Sequence, residues 1–309
     1  MRAIRANRPV NIFPLRTSSI KEGPLSHISR VKSAPRPEGR RVSLGVKGQR
    51  PLKVDLHLHT ADDPLDRISH SAKDLILRAV DEDFDVISIT NHDLLTFSPD
   101  LFDFAREMGI LLIPGIEATI ENRHVLVLNP PRNKTFSDFS SLSMALRPET
   151  LVIAPHPYFP GAFSLNGCFL KNLALFDAIE YCHFYTPRIN FNLRALEFSR
   201  SNGFPLIGNS DTHFLFQFGT TYSLIYAERN IESIFAAIRE NRVEVVTRPL
   251  SPREMGSIAR RFLRMKLRGK PVKSRRRSSP RIRLAEPAAI KQNAQIPHRV
   301  HQTWERLPG

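Results

Sequence analysis

Asp55-Leu56-His57-Leu58-His59-Thr60 closes an apolar run that begins near Lys53. Strand side chains alternate faces, so His57 and His59 lie on the same face, spaced for one metal ion to take both. Five further segments end apolar runs in the same way: Ile89-Thr90-Asn91-His92-Asp93, Pro114-Gly115-Ile116-Glu117, Ala154-Pro155-His156-Pro157, Ile179-Glu180-Tyr181-Cys182-His183 and Gly208-Asn209-Ser210-Asp211-Thr212-His213. Metal-ligating side chains at successive strand ends are what a barrel gathers into one pocket. The pattern implies a metal-dependent hydrolase.

Of 309 residues, 41% are apolar and 24% charged, the composition of a globular chain with a substantial core. No apolar run approaches the roughly 20 residues of a membrane-spanning helix, so the protein is expected not to be transmembrane. Cys168 and Cys182 are neither paired as CxxC nor numerous enough for a disulfide framework, which fits a cytoplasmic protein. The net charge of +15 is uneven: residues 1–50 carry +10, residues 251–309 carry +13, and the stretch between carries −8. An acidic body between basic ends is expected of a domain that spends carboxylates on cations.

Three parts follow. Residues 1–50, rich in Arg, Pro, Ser and Gly, read as a disordered basic tail, their repeated prolines arguing against an amphipathic targeting helix. Residues 51–250 alternate short strand patterns with helical ones. Strands are expected over 53–58, 84–90, 110–117, 123–128, 151–155, 176–182, 205–209, 222–227 and 243–247. Helices are expected over 72–81, 99–108, 136–146, 187–201 and 231–241, with Asn202-Gly203 as a C-cap. This alternation implies an α/β fold with a parallel sheet closed into a distorted barrel; neither a P-loop nor a dinucleotide fingerprint supports an open sheet. Residues 251–309 read as a basic amphipathic stretch, with Ile258, Phe262 and Met265 on one stripe, followed by a low-complexity tail. Such tails favour weak, non-specific contact with nucleic acid or anionic membranes. Near the end, Ile296-Pro297-His298-Arg299-Val300-His301-Gln302-Thr303-Trp304 resembles the opening strand of sugar-nucleotide glycosyltransferases, with nothing of a transferase after it.

In order and separation, DLHLHT, ISITNHD, PGIEAT, APHPY and NSDTH resemble the five motif blocks of the polymerase and histidinol phosphatase (PHP) family. The resemblance covers about residues 53–247. It implies a distorted (β/α)7 TIM-like barrel holding two to three divalent ions, Mn, Fe or Zn, with phosphoester hydrolysis as the usual chemistry. Carried over by position, one ion takes His57, His59, Glu117 and Asp211; a second shares Glu117 and adds His156 and His183; a third takes Asp63, His92 and His213. Asp62 competes with Asp63, and Cys182 with His183. Asn91 stands where the family commonly has Asp. On this resemblance a metal-bridging hydroxide attacks the phosphorus of a small phosphorylated substrate or nucleotide. Glu117, Asp211 and His213 are then the catalytic candidates, the last two for the leaving-group proton. Asp55 is expected to hold an imidazole or a strand end, His124 to reach the site or sit in the core, and His70 to lie on the surface. Arg67, Arg123 and Arg188 are candidate phosphate clamps. Two other classes compete: a non-catalytic PHP module that recruits partners through its tails, and an amidohydrolase using the same ions on a C–N bond.

Overall fold

The computed structural model describes residues 29–32, 50–131 and 136–267. Ten strands form one sheet: β1 (Ser29–Lys32), β2 (Leu52–Leu58), β3 (Val86–Ile89), β4 (Leu111–Ile120), β5 (Arg123–Leu128), β6 (Leu151–Ala154), β7 (Ala178–Cys182), β8 (Leu206–Asn209), β9 (Thr221–Ile225) and β10 (Val243–Thr247). Their order across the sheet is β1-β10-β9-β2-β3-β4-β5-β6-β7-β8. All nine strand expectations correspond to β2 through β10.

The ring is mixed rather than parallel throughout. β2-β3-β4 and β6-β7-β8 are parallel runs, whereas β5 is antiparallel to both of its neighbours. The reason is the two-residue turn Glu121-Asn122, both residues at positive φ (48° and 59°), the backbone that folds a strand straight back on itself. On the other flank β9 runs antiparallel to β2, and β10 antiparallel to β9. β1 pairs with β10 and lies inside the segment expected to be a disordered tail. That expectation fails for residues 29–32 because Ser-Arg-Val-Lys is too short for a visible apolar period. The remaining tail expectations, including Phe262, Met265 and the segment at Trp304, concern residues or side chains outside those described.

The barrel closes where β8 reaches β9 and β2, and side chains do the stitching. Ser223 Oγ accepts from the Gly208 amide (2.8 Å) and donates to the Gly208 carbonyl (2.9 Å). Asn209 Oδ1 accepts from the Leu56 amide (2.9 Å), and the His59 amide donates to the Thr212 carbonyl (3.1 Å).

Helices cover the ring. α1 (Ala72–Asp81) starts at a capping box between Ser71 and Asp74, and α2 (Pro99–Glu107) starts at Ser98 with proline in its first turn. Both press apolar faces, through Leu75, Ile76, Leu101 and Ala105, on Ile87, Ile89 and Leu112. α3 (Phe139–Ala145), the unanticipated short α4 (Gly167–Lys171) and α5 (Leu193–Asn202) enclose a second cluster around Phe139, Phe169 and Phe198. α5 ends at Gly203 in the left-handed region (φ 59°), as its Asn-Gly signal suggests. α6 (Ile231–Arg239) inserts Ile234, Phe235 and Ile238 among Val54, Leu56, Ile113, Ile153 and Ile207.

α7 (Pro252–Leu267) belongs with the barrel for at least its first turns, because Ile258 is buried against Phe214 and Leu250. Glu254 holds it there, accepting from both terminal nitrogens of Arg248 (2.7 and 3.0 Å) and from the Ser251 amide (2.7 Å). Burial alone would raise the Glu254 carboxyl, but Arg248 and Ser251 outweigh it and bring the pKa from 4.5 down to about 2. A depressed folded pKa stabilises above the unfolded value and loses that stabilisation as pH falls through the folded one. Glu254→Gln is therefore expected to lower the melting temperature near about pH 7 and to converge with the parent as pH drops towards about 2, in thermal denaturation at matched ionic strength.

Candidate metal centre

The site residues stand where strands end. A register shift in the β2–β3 pairing between Asp55 and Leu58 re-aims the strand that carries both histidines. Asp93, His156 and Asp211 lie at positive φ (51°, 27° and 46°) just beyond β3, β6 and β8. Non-glycine residues enter that region at a cost, and here each entry turns the chain into the mouth of the barrel.

At the centre is Glu117, 1% exposed. Its Oε2 lies 3.2 Å from His57 Nε2, 3.2 Å from His59 Nε2 and 3.1 Å from His92 Nε2. Its Oε1 lies 2.9 Å from His124 Nδ1 and 3.2 Å from His156 Nε2. Asp211 Oδ1 is 3.4 Å from both His57 Nε2 and His59 Nε2. His57 Nε2, His59 Nε2 and Asp211 Oδ1 are buried and form no hydrogen bond. Buried polar atoms are normally bonded, so three orphans facing one point ask for a ligand. Atoms coordinated at the usual ~2.0–2.1 Å in a tetrahedron stand roughly 3.3 Å apart, and that is the spacing seen. The donor set, imidazole nitrogen with carboxylate oxygen, suits a divalent metal ion.

Second partners fix the rings. His57 Nδ1 donates to Glu180 Oε1 (2.9 Å), and Glu180 also accepts from Asn209 Nδ2 (2.8 Å) and the His156 amide (2.9 Å). His59 Nδ1 and His92 Nδ1 both face Asp63 Oδ2 at 2.9 Å. A carboxylate behind an imidazole sets its tautomer and strengthens it as a ligand. Burial alone would lower the His57 imidazole, but Asp211, Glu180 and Glu117 outweigh it and hold it well above 6.5. Burial would likewise raise Glu117, but His124, His57 and His92 hold it well below its ordinary value. The carboxylates crowded against these imidazoles are what a bound cation would neutralise.

His57, His59, His92, Glu117, His156, Asp211 and His213 lie together in overlapping groups of potential ligand atoms. Asp63 groups with Asp66 and His92 and sits behind the rings, whereas Asp66 Oδ2 meets His213 Nε2 at 3.1 Å. His183 joins none of these groups: its Nε2 accepts from Gln217 Nε2 (2.9 Å), and burial pushes its pKa down to about 4. Cys182 Sγ lies 3.8 Å from Asp211 Oδ2. Asn91 accepts from the Thr60 amide and donates to Thr60 Oγ1 and Thr96 Oγ1, where a carboxylate could only accept.

Three expectations are corrected. His70 is 5% exposed, not a surface residue; its Nε2 donates to the His59 carbonyl (2.8 Å) and holds the loop after β2. Arg123 is no phosphate clamp, because its NH1 is committed to the Ala162 and Ser164 carbonyls (2.6 and 2.8 Å). Arg67 and Arg188 are exposed and line no part of the cavity over the site.

Glu180 and Gln217 escaped the sequence reading. A charge within the apolar run Ala178–Cys182 was the available signal for Glu180; Gln217, at the end of a single 3-10 turn (Leu215–Gln217), left none. Glu180→Gln keeps the shape but removes the charge behind His57. Metal affinity is expected to fall about 10- to 100-fold, read by competition with a chelating indicator, while circular dichroism stays unchanged.

Comparison with known proteins agrees with this reading. Residues 190–243, which carry Asp211 and His213, match the PHP-associated family. Over 195 residues the chain is 29% identical to the uncharacterized protein MJ0417 of Methanocaldococcus jannaschii, covering 59% of this chain and 73% of that one. A two-domain protein from Bacteroides vulgatus, containing a predicted PHP-like metal-dependent phosphoesterase, superposes with a TM-score of 0.51 at 21% identity over 69% of each chain. An amidohydrolase from Chromobacterium violaceum with bound sulfate gives 0.41 at 12% identity, covering 52% of this chain and 87% of that one, too low to bear on chemistry. The PHP-associated match spans residues 190–243 of the chain, and the likeness to the Bacteroides vulgatus protein is one of fold.

Proposed function

We propose that the protein is a metal-dependent phosphoesterase acting on a small phosphorylated molecule or nucleotide. The observation that carries this reading is Glu117, which turns one oxygen to three imidazoles and the other to two. A carboxylate so surrounded suits two cations side by side. His57, His59 and Asp211 would complete one set around Glu117, and His156 a second; Asp66 and His92 are the residues for a third. Bound divalent cations supply an activated water and neutralise charge on the phosphoryl oxygens.

The chain's own residues do the rest. Glu180 and Asp63 keep the imidazoles in the tautomer that turns Nε2 inward. His213 is 26% exposed at the cavity, with Asp66 on its Nε2, and we assign it the proton of the leaving oxygen. Among the described residues no Lys or Arg lines the cavity, so charge on the substrate falls to the cations.

The test is to load the protein with Mn, Fe or Zn, count the ions by elemental analysis, and offer phosphomonoesters, phosphodiesters and amides. Two or more equivalents (about 2–3) with metal-dependent phosphoester turnover is the expected result. Bound metal with turnover of amides alone would move the protein to the amidohydrolase class. Bound metal with no turnover of any of them would favour the binding module. Among the described residues no helix is long and apolar enough to cross a membrane.

A further inference from the structure

The cavity over Glu117 measures about 390 Å³, the size of a small-molecule site. Its floor is acidic and imidazole-rich, through Asp66, Glu117, Asp211 and their histidines, and its walls are the rings of Phe159, Phe163, Phe184 and Phe214. Phe163 is the telling residue. Its ring stacks on His124 at 4.7 Å and 18°, yet is 46% exposed, a large apolar face left open directly over the metal-ligand cluster. It is also held in place: the His124 amide donates to the Phe163 carbonyl (2.9 Å), and Arg123 grips the carbonyls of Ala162 and Ser164 on either side. Phe159 in turn packs against Phe184 and Phe191 at the rim, with ring centroids 6.4 and 5.5 Å apart.

We infer that the phosphoester taken by this site carries a flat apolar group, best an aromatic ring, on its leaving oxygen and no second ionised phosphate. The inference rests on the phosphoesterase reading above and narrows its substrate. Once one phosphoryl group has met the cations, the remainder of the substrate meets phenyl rings. A ring there exchanges water for stacked or edge contacts, which add to the area it buries. A second phosphate would sit among Phe side chains and carboxylates with no cationic partner among the described residues, and an unpaired charge in such surroundings is strongly disfavoured. In the reaction, water adds across the P–O bond: its oxygen goes to phosphorus, and the alcohol departs with a proton.

The experiment compares benzyl phosphate with ethyl phosphate on the metal-loaded full chain, two esters whose leaving alcohols are close in basicity, so that kcat/KM reports the cavity. The expected preference for benzyl is about tenfold or more, the size of one good aromatic contact with its buried area. Phe163→Ala, at a half-exposed position, should bring the ratio down towards one. A propanediol bisphosphate should be a poorer substrate than propyl phosphate. A benzyl-to-ethyl ratio near one, a ratio untouched by both Phe163→Ala and Phe159→Ala, or a preference for the bisphosphate would overturn the inference. If no ester is turned over, the phosphoesterase reading fails first. Calorimetric titration with benzylphosphonate and ethylphosphonate then still reads the cavity, and equal affinities would dismiss the aromatic preference independently.

Discussion

Glu117→Gln is expected to leave a folded protein that holds less than about one equivalent of metal and has lost phosphoester turnover by on the order of 10³-fold or more. The size follows from what cations contribute: several kcal/mol of transition-state stabilisation, at tenfold in rate for each ~1.4 kcal/mol. The amide keeps the outline of the side chain, so the core around it is preserved, but an uncharged group no longer balances the imidazoles on its two sides. Elemental analysis and near-ultraviolet circular dichroism on the same sample separate the two effects. A variant that retains two equivalents of metal and parent-like turnover would show that Glu117 is not the shared ligand.

The second large effect concerns the wall rather than the centre. A Cβ added at Gly208 would lie 2.6 Å from Val245 Cγ1 and 2.9 Å from the Tyr222 carbonyl oxygen, the latter a backbone atom that cannot rotate away. Gly208 is therefore glycine because β8 must approach β9 and β10 closely for the ring to shut. Overpacking a tight core site costs about 1–3 kcal/mol. Gly208→Ala is expected to fall in that range and to lower the melting temperature by roughly 2–4 °C per kcal/mol. An unchanged melting temperature would mean that the contact between β8 and its neighbours is looser than described.

The sequence announces some of these residues and hides others. His57 and His59 were readable because period two and an apolar frame put both on one face, and the strand expectations around them match β2 through β10. Strand direction was not readable: nothing in Glu121-Asn122 announces a tight reversal as Asn-Gly would, so a wholly parallel sheet is what the pattern suggests and the antiparallel β5 goes unannounced. Residues that support rather than face the centre were the harder class. His70, Glu180 and Gln217 act through bonds to residues 11, 123 and 34 positions away, a distance over which local pattern carries no information. Asp63 was found for its type and position, but only geometry shows it turned towards two Nδ1 atoms.

The stitched closure of the barrel has a bearing on how the chain assembles. Leu56 and Asn209, which meet there, are 153 residues apart, so shutting the ring gives up much chain entropy. Elsewhere around the ring, backbone ladders repay such losses; at this edge only a few hydroxyl, amide and carbonyl contacts do. His57 and His59 stand at the end of β2 and Asp211 just beyond β8, so coordination by all three works as a rivet between those two staves of the cask. Its thermodynamic effect is that of a cross-link spanning a long loop. Chelation should then be felt first as gaping along that joint, with the amides of Leu56, His59 and Gly208 exchanging hydrogen well before those of the β4–β5 hairpin, whose partners are close in sequence and fully laddered.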